Sequence, residues 1–245
     1  MRTVAVITGV ASGIGRYVAY SLRKCDVDVY GLDINEPELE GIHFFKCDIS
    51  VENQVVNVVK KIKQLVSKVD YLLNVAGILC YKNRYYVKDL PLNEWERVIT
   101  TNLTSVYLMT KYFIPLLEKS KYGVIINFSS EQVCHIRKKS VPYSVSKAAV
   151  EMFTRVVALE LLEKGIRANT IALASVRTNF IKDYVRSEKK FQEMMRLSEK
   201  KMPLGLIEPK DVYCLIKYLI SNDNKMTGQT IILDSGVILG EINKE

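Results

Sequence analysis

Short apolar runs alternate with longer amphipathic segments along the chain, and this alternation predicts an α/β fold. The first run, residues 3–8, is rich in β-branched residues and lacks polar alternation, as expected for a central parallel strand buried on both faces. Further runs predict six more strands, at residues 27–32, 43–46, 71–75, 124–128, 166–173 and 230–233. Strands therefore recur from one end of the chain to the other.

Apolar residues recur at helical spacing between these runs. The clearest stripe lies in residues 51–67 and predicts a helix with one buried face. Further helices are expected after Gly15 and at residues 92–102, 107–117, 148–163 and 211–219. Residues 179–203 are rich in Lys, Glu and Met and predict a helical lid over a substrate. No repeat divides the chain, so we expect one domain over residues 1–245.

A glycine cluster follows the first strand directly. Gly9, Gly13 and Gly15 lie between this strand and a helical pattern. Strand, glycine turn and helix in this order predict a phosphate-binding turn, because glycines let the backbone approach a pyrophosphate and the helix start supplies N–H groups. A tight turn without a ligand is the alternative for an isolated cluster.

The second predicted strand ends in Asp33, at the distance where an acidic residue binds the ribose diol of an adenosine. A carboxylate there repels a 2′-phosphate, and neither Ile34 nor Asn35 supplies a compensating cation. Arg16 is basic but lies inside the first helix. The sequence therefore favours NAD over NADP, with a helix or turn cap as the alternative role of Asp33.

Two further strand ends carry candidate cofactor contacts. Asp48 follows the third strand and is expected to accept from an adenine amino group, since Ser50 is the better cap for the next helix. Ala76 and Gly77 follow the fourth strand and are small enough for a flat ring to lie against them. In the loop beyond, Leu79, Tyr81 and Tyr85 either line a substrate pocket or pack at an oligomer interface.

The fifth strand leads into the richest chemistry of the chain. Ser129 and Ser130 follow it, and Tyr143 and Lys147 lie one turn apart on one face if Pro142 starts a helix. A lysine ammonium at this position would lower the pKa of the phenol and make it a proton donor for a carbonyl. The spacing alone is weak evidence, because the same Tyr-x-x-x-Lys pattern occurs in the pairs Tyr20/Lys24, Tyr107/Lys111 and Tyr213/Lys217.

Composition excludes several classes of protein. Five scattered cysteines without a C-x-x-C pair and only two histidines argue against a disulfide framework and against a metal site. The formal charge of +8 comes from lysines that alternate with glutamates in amphipathic segments, which indicates a solvated surface rather than a nucleic-acid partner. No apolar run approaches the roughly 18 residues of a membrane span. A strand begins near the N-terminus, so we expect a cytoplasmic protein without a signal peptide.

Taken together, these residues resemble the short-chain dehydrogenases/reductases over nearly the whole chain. The matching motifs, in order, are Thr8-Gly9-x-x-x-Gly13-Ile14-Gly15, Asp48, Asn74-x-Ala76-Gly77, Asn102, Ser130, Tyr143 with Lys147, Asn169 and Thr178. The resemblance implies a single doubly wound Rossmann-type domain with a seven-stranded parallel sheet and helices on both faces. It also implies a homotetramer or a homodimer.

The resemblance further implies the roles of individual residues. Tyr143 would exchange a proton with the substrate oxygen, Lys147 would lower the Tyr143 pKa and bind the nicotinamide ribose, and Ser130 would polarise the carbonyl. Asn102 would interrupt its helix and hold a proton-relaying water. Cofactor contacts are implied at Gly9, Ser12, Gly13, Ile14, Asp33, Asp48, Ile49, Asn74, Ala76, Gly77, Tyr143, Lys147, Val176 and Thr178.

Two positions depart from the family pattern. Leu173-Ala174 replaces the commoner Pro-Gly after the sixth strand, and we expect carboxamide binding to survive with an altered loop. Val75 replaces a commoner Asn, which the retained Asn74 and Gly77 make tolerable.

Residues next to the catalytic serine suggest the substrate. Glu131 and Gln132, with His135 as a further candidate, favour a polyhydroxylated molecule that also contacts Ser130 and Tyr143. The resemblance is greatest to the aldohexose (glucose-type) 1-dehydrogenases, so we expect a sugar or polyol alcohol. A 3-oxoacyl-carrier-protein reductase and a dihydrodiol dehydrogenase are alternatives within the enzymes. A catalytically inactive NAD-binding regulator is the alternative outside them.

Overall fold

A computed structural model describes residues 2–80, 85–180 and 187–240 of the 245-residue chain. All seven predicted strands form one parallel sheet in the order β3-β2-β1-β4-β5-β6-β7. The strands are β1 (Val4–Thr8), β2 (Asp28–Asp33), β3 (His43–Lys46), β4 (Tyr71–Asn74), β5 (Val124–Ser130), β6 (Arg167–Leu173) and β7 (Thr230–Leu233). The predicted doubly wound sheet is thereby confirmed.

Helices cover both faces of this sheet. They are α1 (Gly13–Arg23), α2 (Glu52–Leu65), α3 (Leu92–Ile99), α4 (Ser105–Leu117), α5 (Val141–Glu160), α6 (Glu188–Lys200) and α7 (Pro209–Ile220). One apolar core joins the sheet to α2, α4 and α5 through residues such as Ile62 and Phe113. The other joins it to α1, α6 and α7 through residues such as Val18, Phe191 and Ile216.

The order of the strands reverses at β1, which pairs with β2 on one side and with β4 on the other. In parallel sheets ligands bind outside the carboxyl ends of the strands at such a reversal. The turn after β1 and the residues that end β2, β4 and β5 therefore meet at one edge. This edge carries the candidate residues of the sequence.

Two helices differ from their predicted bounds in ways that matter for the site. The helix expected at residues 148–163 begins at Val141, so Tyr143 and Lys147 lie in its first two turns. The helix expected at residues 92–102 ends at Ile99, and a π-helical turn, Thr100–Thr104, connects it to α4. This turn is the predicted interruption at Asn102.

The predicted lid at residues 179–203 contains α6, and residues 181–186 lie outside the described part. Phe191 and Met195 of α6 are buried in the same apolar core as α1 and α7. The helix is therefore anchored to the domain, and closure over a substrate remains a prediction. None of the described helices combines the length and the apolar character needed to cross a membrane.

Candidate active site

A cleft of about 590 Å³ runs along the carboxyl edge of the sheet. Most of the predicted site residues line it, including those expected to bind cofactor and those expected to act on substrate. They are Gly9, Ser12, Gly13, Ile14, Asp33, Asp48, Ile49, Ala76, Gly77, Ser130, Glu131, Gln132, Tyr143, Lys147, Val176 and Thr178. Asn74 and Asn102 are buried and lie behind the wall of the cleft.

The glycine turn forms one end of the cleft. Gly9 has φ +78°, and a Cβ there would lie 3.1 Å from the Cα of Ala76, so a side chain would strain the turn and crowd the next strand end. Thr178 lies against the same turn, with its Cβ 3.4 Å from where a Cβ on Gly13 would be. The turn thus requires glycine at position 9 for its backbone conformation and its close approach to Ala76, and phosphate binding by the turn remains a prediction.

Asp33 has the turn-capping role that the sequence left as an alternative, and its contact with a ribose remains a prediction. Its Oδ2 accepts a hydrogen bond of 3.0 Å from Ala11 N, and its Oδ1 accepts one of 3.0 Å from Asn35 N. The carboxylate therefore holds the glycine turn to the end of β2. It also lines the cleft, and each carboxylate oxygen retains capacity to accept from a diol. Arg16 is exposed and does not line the cleft.

Asp48 organises the turn before α2 as well as lining the cleft. Its Oδ1 accepts from Ser50 N at 2.9 Å and from Ser50 Oγ at 2.6 Å. The prediction that Ser50 caps α2 is wrong, because Val51 occupies the cap position and Ser50 Oγ is turned back to Asp48. The adenine contact of Asp48, and that of Ile49 beside it, remain predictions.

The end of β4 supplies a wall with little side-chain bulk. A Cβ on Gly77 would lie 3.3 Å from Asn102 Oδ1 and 3.4 Å from Lys147 Nζ, so a side chain here would crowd both groups. Ala76 N donates to Thr8 Oγ1 at 3.1 Å and fixes this wall to β1. Asn74 points away, donating to Asn127 Oδ1 of β5 at 2.8 Å, so its side chain supports the sheet instead of facing the cleft.

Tyr143 and Lys147 lie at the other end of the cleft. Lys147 is 6% exposed, and its Nζ donates to Phe128 O at 2.8 Å. The same Nζ lies 5.7 Å from the centroid of the Tyr143 ring. Burial lowers the pKa of Lys147 to about 8, since the charged form loses its hydration. A buried lysine beside a phenol is the arrangement that the sequence predicted for a proton-donating tyrosine.

The other Tyr-x-x-x-Lys pairs lie away from the cleft. Tyr107 is 44% exposed, and Lys111 pairs with Glu52 on the surface. Lys24 lies over the exposed ring of Tyr20, 4.5 Å from its centroid. The Tyr213 hydroxyl contacts Cys25 Sγ at 3.5 Å. Each of these three tyrosines therefore has local contacts on a helix surface and does not face the cleft.

Asn102 lies behind the cleft and connects three elements. Its Oδ1 accepts from Ile78 N at 2.8 Å, and its Nδ2 donates to Ile78 O at 2.9 Å and to Ser146 Oγ at 3.2 Å. The side chain thereby fixes the backbone after Gly77 to α5. Its role in holding a water remains a prediction.

Ser130 and its two followers form a hydrogen-bonded group. Ser130 Oγ donates to Glu131 Oε2 at 2.9 Å and accepts from Gln132 N at 3.2 Å. Glu131 Oε1 forms an ion pair with Arg137, and burial raises the pKa of Glu131, partly offset by that guanidinium. Each oxygen of Glu131 thus already has one neighbour, and the expected contact of Glu131 with a substrate remains a prediction.

Gln132 is oriented by the residue that precedes α5. Ser140 Oγ donates to Gln132 Oε1 at 2.8 Å. Within the described part of the chain, Gln132 Nε2 donates to no acceptor, and it is not among the buried unpaired atoms. Gln132 therefore offers an N–H₂ donor to the cleft.

The loop after β6 closes the cleft above the glycine turn. Val176 pairs with Ile207, and Phe180 N donates to Thr178 Oγ1 at 3.3 Å. Val176 and Thr178 line the cleft as predicted, together with Leu173 and Ala174 at the departure from the family pattern. Carboxamide binding by this loop remains a prediction.

Several lining residues were not predicted. Arg97 and Arg137 line the cleft, and Arg97 pairs with Glu94 at 2.9 Å and donates to Leu79 O at 3.2 Å. The Glu94/Arg97 spacing on a helix was the available signal for the first of them. Leu79 lines the cleft, whereas His135 and Tyr85 do not, and Tyr81 lies outside the described residues.

Comparisons with known proteins agree with this geometry. A family model described as enoyl-(acyl carrier protein) reductase matches residues 9–238. An uncharacterized oxidoreductase of Thermotoga maritima is 30% identical, covering 99% of this chain and 98% of the relative. A 3-oxoacyl-[acyl-carrier-protein] reductase of the same organism is 28% identical, covering 96% and 98%.

Solved structures show the same fold. The ligand-free aldohexose dehydrogenase of Thermoplasma acidophilum has a TM-score of 0.91 and 25% identity, with 98% of this chain and 95% of that one covered. An NADPH-bound tyrosine-to-phenylalanine variant of ElxO has a TM-score of 0.87 and 27% identity, with 98% and 100% covered.

The glycine turn, the acidic end of β2 and the tyrosine–lysine pair in one cleft define an oxidoreductase that uses a nicotinamide dinucleotide. The glycine turn at one end of the cleft and the small wall at Ala76 and Gly77 fit such a cofactor. The chain belongs to the short-chain dehydrogenase/reductase family.

The burial of Lys147 predicts a pH-dependent stability. Between the folded-state pKa of about 8 and the ordinary 10.5, the unfolded chain binds a proton that the folded protein does not. Stability from this group therefore rises with pH in that window. The free energy of unfolding in urea, taken as wild type minus Lys147→Met, should therefore increase by about 1–3 kcal/mol between about pH 7.5 and about pH 9.5.

Lys111→Met is the matched control. Lys111 is exposed on α4 and its pKa is raised by hydrogen bonds to Tyr112 and Glu52, so it stays protonated in both states across this window. Its difference from wild type should not change with pH. A pH-independent difference for Lys147→Met would contradict a desolvated lysine.

Proposed function

We propose that this protein transfers a hydride between NAD and an alcohol or carbonyl substrate of the sugar or polyol class. The observation that carries the proposal is the single cleft with Asp33 and the glycine turn at one end and Ser130, Tyr143 and Lys147 at the other. This arrangement brings a dinucleotide site and a proton-transfer site together. The proposed contacts are those implied by the family resemblance.

NAD, when bound, accepts the hydride from an alcohol, and side chains of this protein carry out the remaining steps. Tyr143 takes the hydroxyl proton of the substrate as a general base, or returns it to a carbonyl as a general acid. Lys147 provides a cation near the phenol, which favours the phenolate, and donates to the nicotinamide ribose. Ser130 orients the reacting oxygen, and Asn102 holds the backbone beside Lys147 in position.

The preference for NAD rests on the charge of Asp33. Its carboxylate lines the cleft at the end of β2, where an adenosine ribose would lie, and its neighbours Ile34 and Asn35 are uncharged. A diol donates two hydrogen bonds to a carboxylate, whereas a 2′-phosphate is repelled by it. One relative of known structure binds NADPH, so NADP is the alternative that the next experiment tests.

Asp33→Asn tests this preference. Removing the charge should weaken the bond to the diol by about 1.5–3 kcal/mol, which corresponds to a loss of about 10- to 100-fold in kcat/KM for NAD. Because the repulsion of a 2′-phosphate disappears as well, the ratio of kcat/KM for NAD over NADP should fall by at least that factor. Asp28→Asn, at the other end of β2, should leave the ratio unchanged. A wild-type preference for NADP would contradict the proposal.

Two features support a polyhydroxylated substrate. The Nε2 donor of Gln132 lies on the cleft wall two residues after Ser130, and the guanidinium groups of Arg137 and Arg97, paired with Glu131 and Glu94, also line the cleft. Sugar hydroxyls accept such hydrogen bonds, whereas an acyl chain does not. The aldohexose dehydrogenase is the second support, as a relative of the same fold with a named sugar substrate.

The substrate class is tested by following absorbance at 340 nm. Glucose, galactose and xylose are offered with NAD or NADP, and an acetoacetyl thioester is offered with NADH or NADPH. We expect reduction of NAD by at least one of the sugars. Failure of every sugar and polyol would contradict the sugar proposal.

A 3-oxoacyl-carrier-protein reductase is the second candidate. The similar reductase of Thermotoga maritima and a net charge of +8, which suits an acidic carrier protein, favour it. The carboxylate of Asp33 counts against it where such a reductase uses NADPH. Reduction of the thioester without oxidation of any sugar would favour this function. A dihydrodiol dehydrogenase has no separate support in the structure.

Tyr143→Phe separates an enzyme from an NAD-binding regulator. Removing the phenolic hydroxyl should lower kcat by about 10²- to 10⁴-fold, because no other group transfers the proton in the proposed mechanism. Tyr107→Phe is the control. Tyr107 precedes a lysine by the same four residues but lies on the exposed face of α4, so this variant should retain wild-type turnover. An intact rate in Tyr143→Phe would contradict the proposed acid/base.

We propose a homo-oligomer on the basis of α5. Val145, Met152, Val156 and Leu159 are between 43% and 74% exposed and recur at helical spacing on this helix. A continuous apolar stripe of this length indicates a surface that a second copy covers. Sedimentation velocity measures whether the assembly is a dimer or a tetramer.

A further inference from the structure

The hydrogen bond from Ser130 to Glu131 leaves the serine turned away from a substrate. A serine hydroxyl has one proton and accepts with two lone pairs. The proton goes to Glu131 Oε2, and one lone pair accepts from Gln132 N. While this bond holds, Ser130 has no proton to donate to the oxygen of a carbonyl substrate.

Rotation of the serine alone would be costly. Glu131 is 3% exposed, so its Oε2 would lose its partner in a buried position. The pair with Arg137 satisfies only Oε1. The carboxylate and the substrate therefore compete for the same proton.

Protonation of Glu131 removes the competition. A carboxylic acid donates a hydrogen bond to Ser130 Oγ. The serine oxygen then accepts from Glu131 and from Gln132 N, and its own O–H bond is free to point toward the cleft. Arg137 still donates to the other oxygen of Glu131. In this state every donor and acceptor of the group has a partner.

We propose that Glu131, held by Arg137, is a positioning residue that sets the direction of the Ser130 hydroxyl. As a carboxylate it turns the hydroxyl away from the substrate, and as a carboxylic acid it turns the hydroxyl toward a carbonyl. This role rests on the proposed function, because it acts through the catalytic serine. Glu131 itself does not touch the reacting atoms.

The charges around Glu131 determine where it titrates. Arg137 and His135 belong to its own segment, Lys147 and Tyr143 reach the cleft from α5, and Arg97 reaches it from α3. Burial raises the pKa of Glu131, and the nearby cations oppose the rise. The acid form therefore persists to a higher pH than for an exposed glutamate.

Glu131→Gln mimics the acid form permanently. The amide of Gln donates from Nε2 to Ser130 and accepts from Arg137 through Oε1. In the wild type, kcat/KM for carbonyl reduction should fall as pH rises through the Glu131 pKa. In Glu131→Gln this fall should disappear, and kcat/KM at alkaline pH should exceed that of the wild type by about 5-fold or more, a gain of about 1 kcal/mol. The probe is the carbonyl product of the fastest substrate in the 340 nm panel.

A double mutant shows whether the effect passes through the serine. In a Ser130→Ala background, Glu131→Gln should change kcat/KM by less than about 2-fold at every pH, because no hydroxyl remains to be turned. Glu94→Gln is the matched control, since Glu94 pairs with Arg97 beside the same cleft but not with Ser130. Its pH profile should match that of the wild type.

Arg137→Met provides an independent variant. Removing the guanidinium removes the charge that lowers the Glu131 pKa, so the fall in kcat/KM should move to higher pH. An effect of Glu131→Gln that persists without Ser130, or an Arg137→Met profile that does not move, would overturn the inference while the enzyme remains active. Absence of turnover in the wild type would instead overturn the proposed function, and the inference with it.

Discussion

The burial of one ammonium group against a main-chain carbonyl holds the site together. Lys147 Nζ donates to Phe128 O at 2.8 Å in a position from which water is largely excluded. Because a buried cation is costly without a partner, this contact fixes the start of α5 over the end of β5. Tyr143 then follows from the helix, one turn earlier, and Ser130 follows from the strand, two residues later. The Lys147 bond therefore joins the elements that carry all three groups, and Ser129 Oγ adds a second link by donating to Lys147 O at 3.1 Å.

Asn102 extends this constraint to the cofactor side of the cleft. A buried side-chain amide needs partners for its donors and its acceptor, and Asn102 finds them at Ile78 and Ser146. The π-helical turn, Thr100–Thr104, holds it where the wall after Gly77 and the helix with Lys147 meet. An Asn that is unfavourable by helix propensity is thereby explained by three hydrogen bonds. The wall after Gly77 and the helix that carries Tyr143 and Lys147 are therefore positioned by the same side chain.

The sequence predicted those features that arise from local pattern. The seven strands were recognisable because burial on both faces leaves short continuous apolar runs, and the glycine turn was recognisable because its glycines follow the first run directly. Ser50 was mispredicted as a cap, and the inward direction of Asn74 was not foreseen, because each depends on which partner a side chain selects in three dimensions. Arg97 and Arg137 were missed for the same reason, since an arginine on a helix or loop gives no sign of the cleft it will face.

The environment of Glu131 changes how the substrate end of the cleft is understood. The sequence suggested that Glu131 and Gln132 both contact a substrate. In the structure Glu131 is occupied by Ser130 and Arg137, and Gln132 accepts from Ser140. The cleft wall therefore presents N–H donors to a substrate, whereas the acceptor oxygen of Gln132 is held by Ser140. A substrate with several oxygen acceptors fits such a wall better than a purely apolar one. In the proposed mechanism the acidic group acts through the serine on the reaction, and the neighbouring donors bind the substrate.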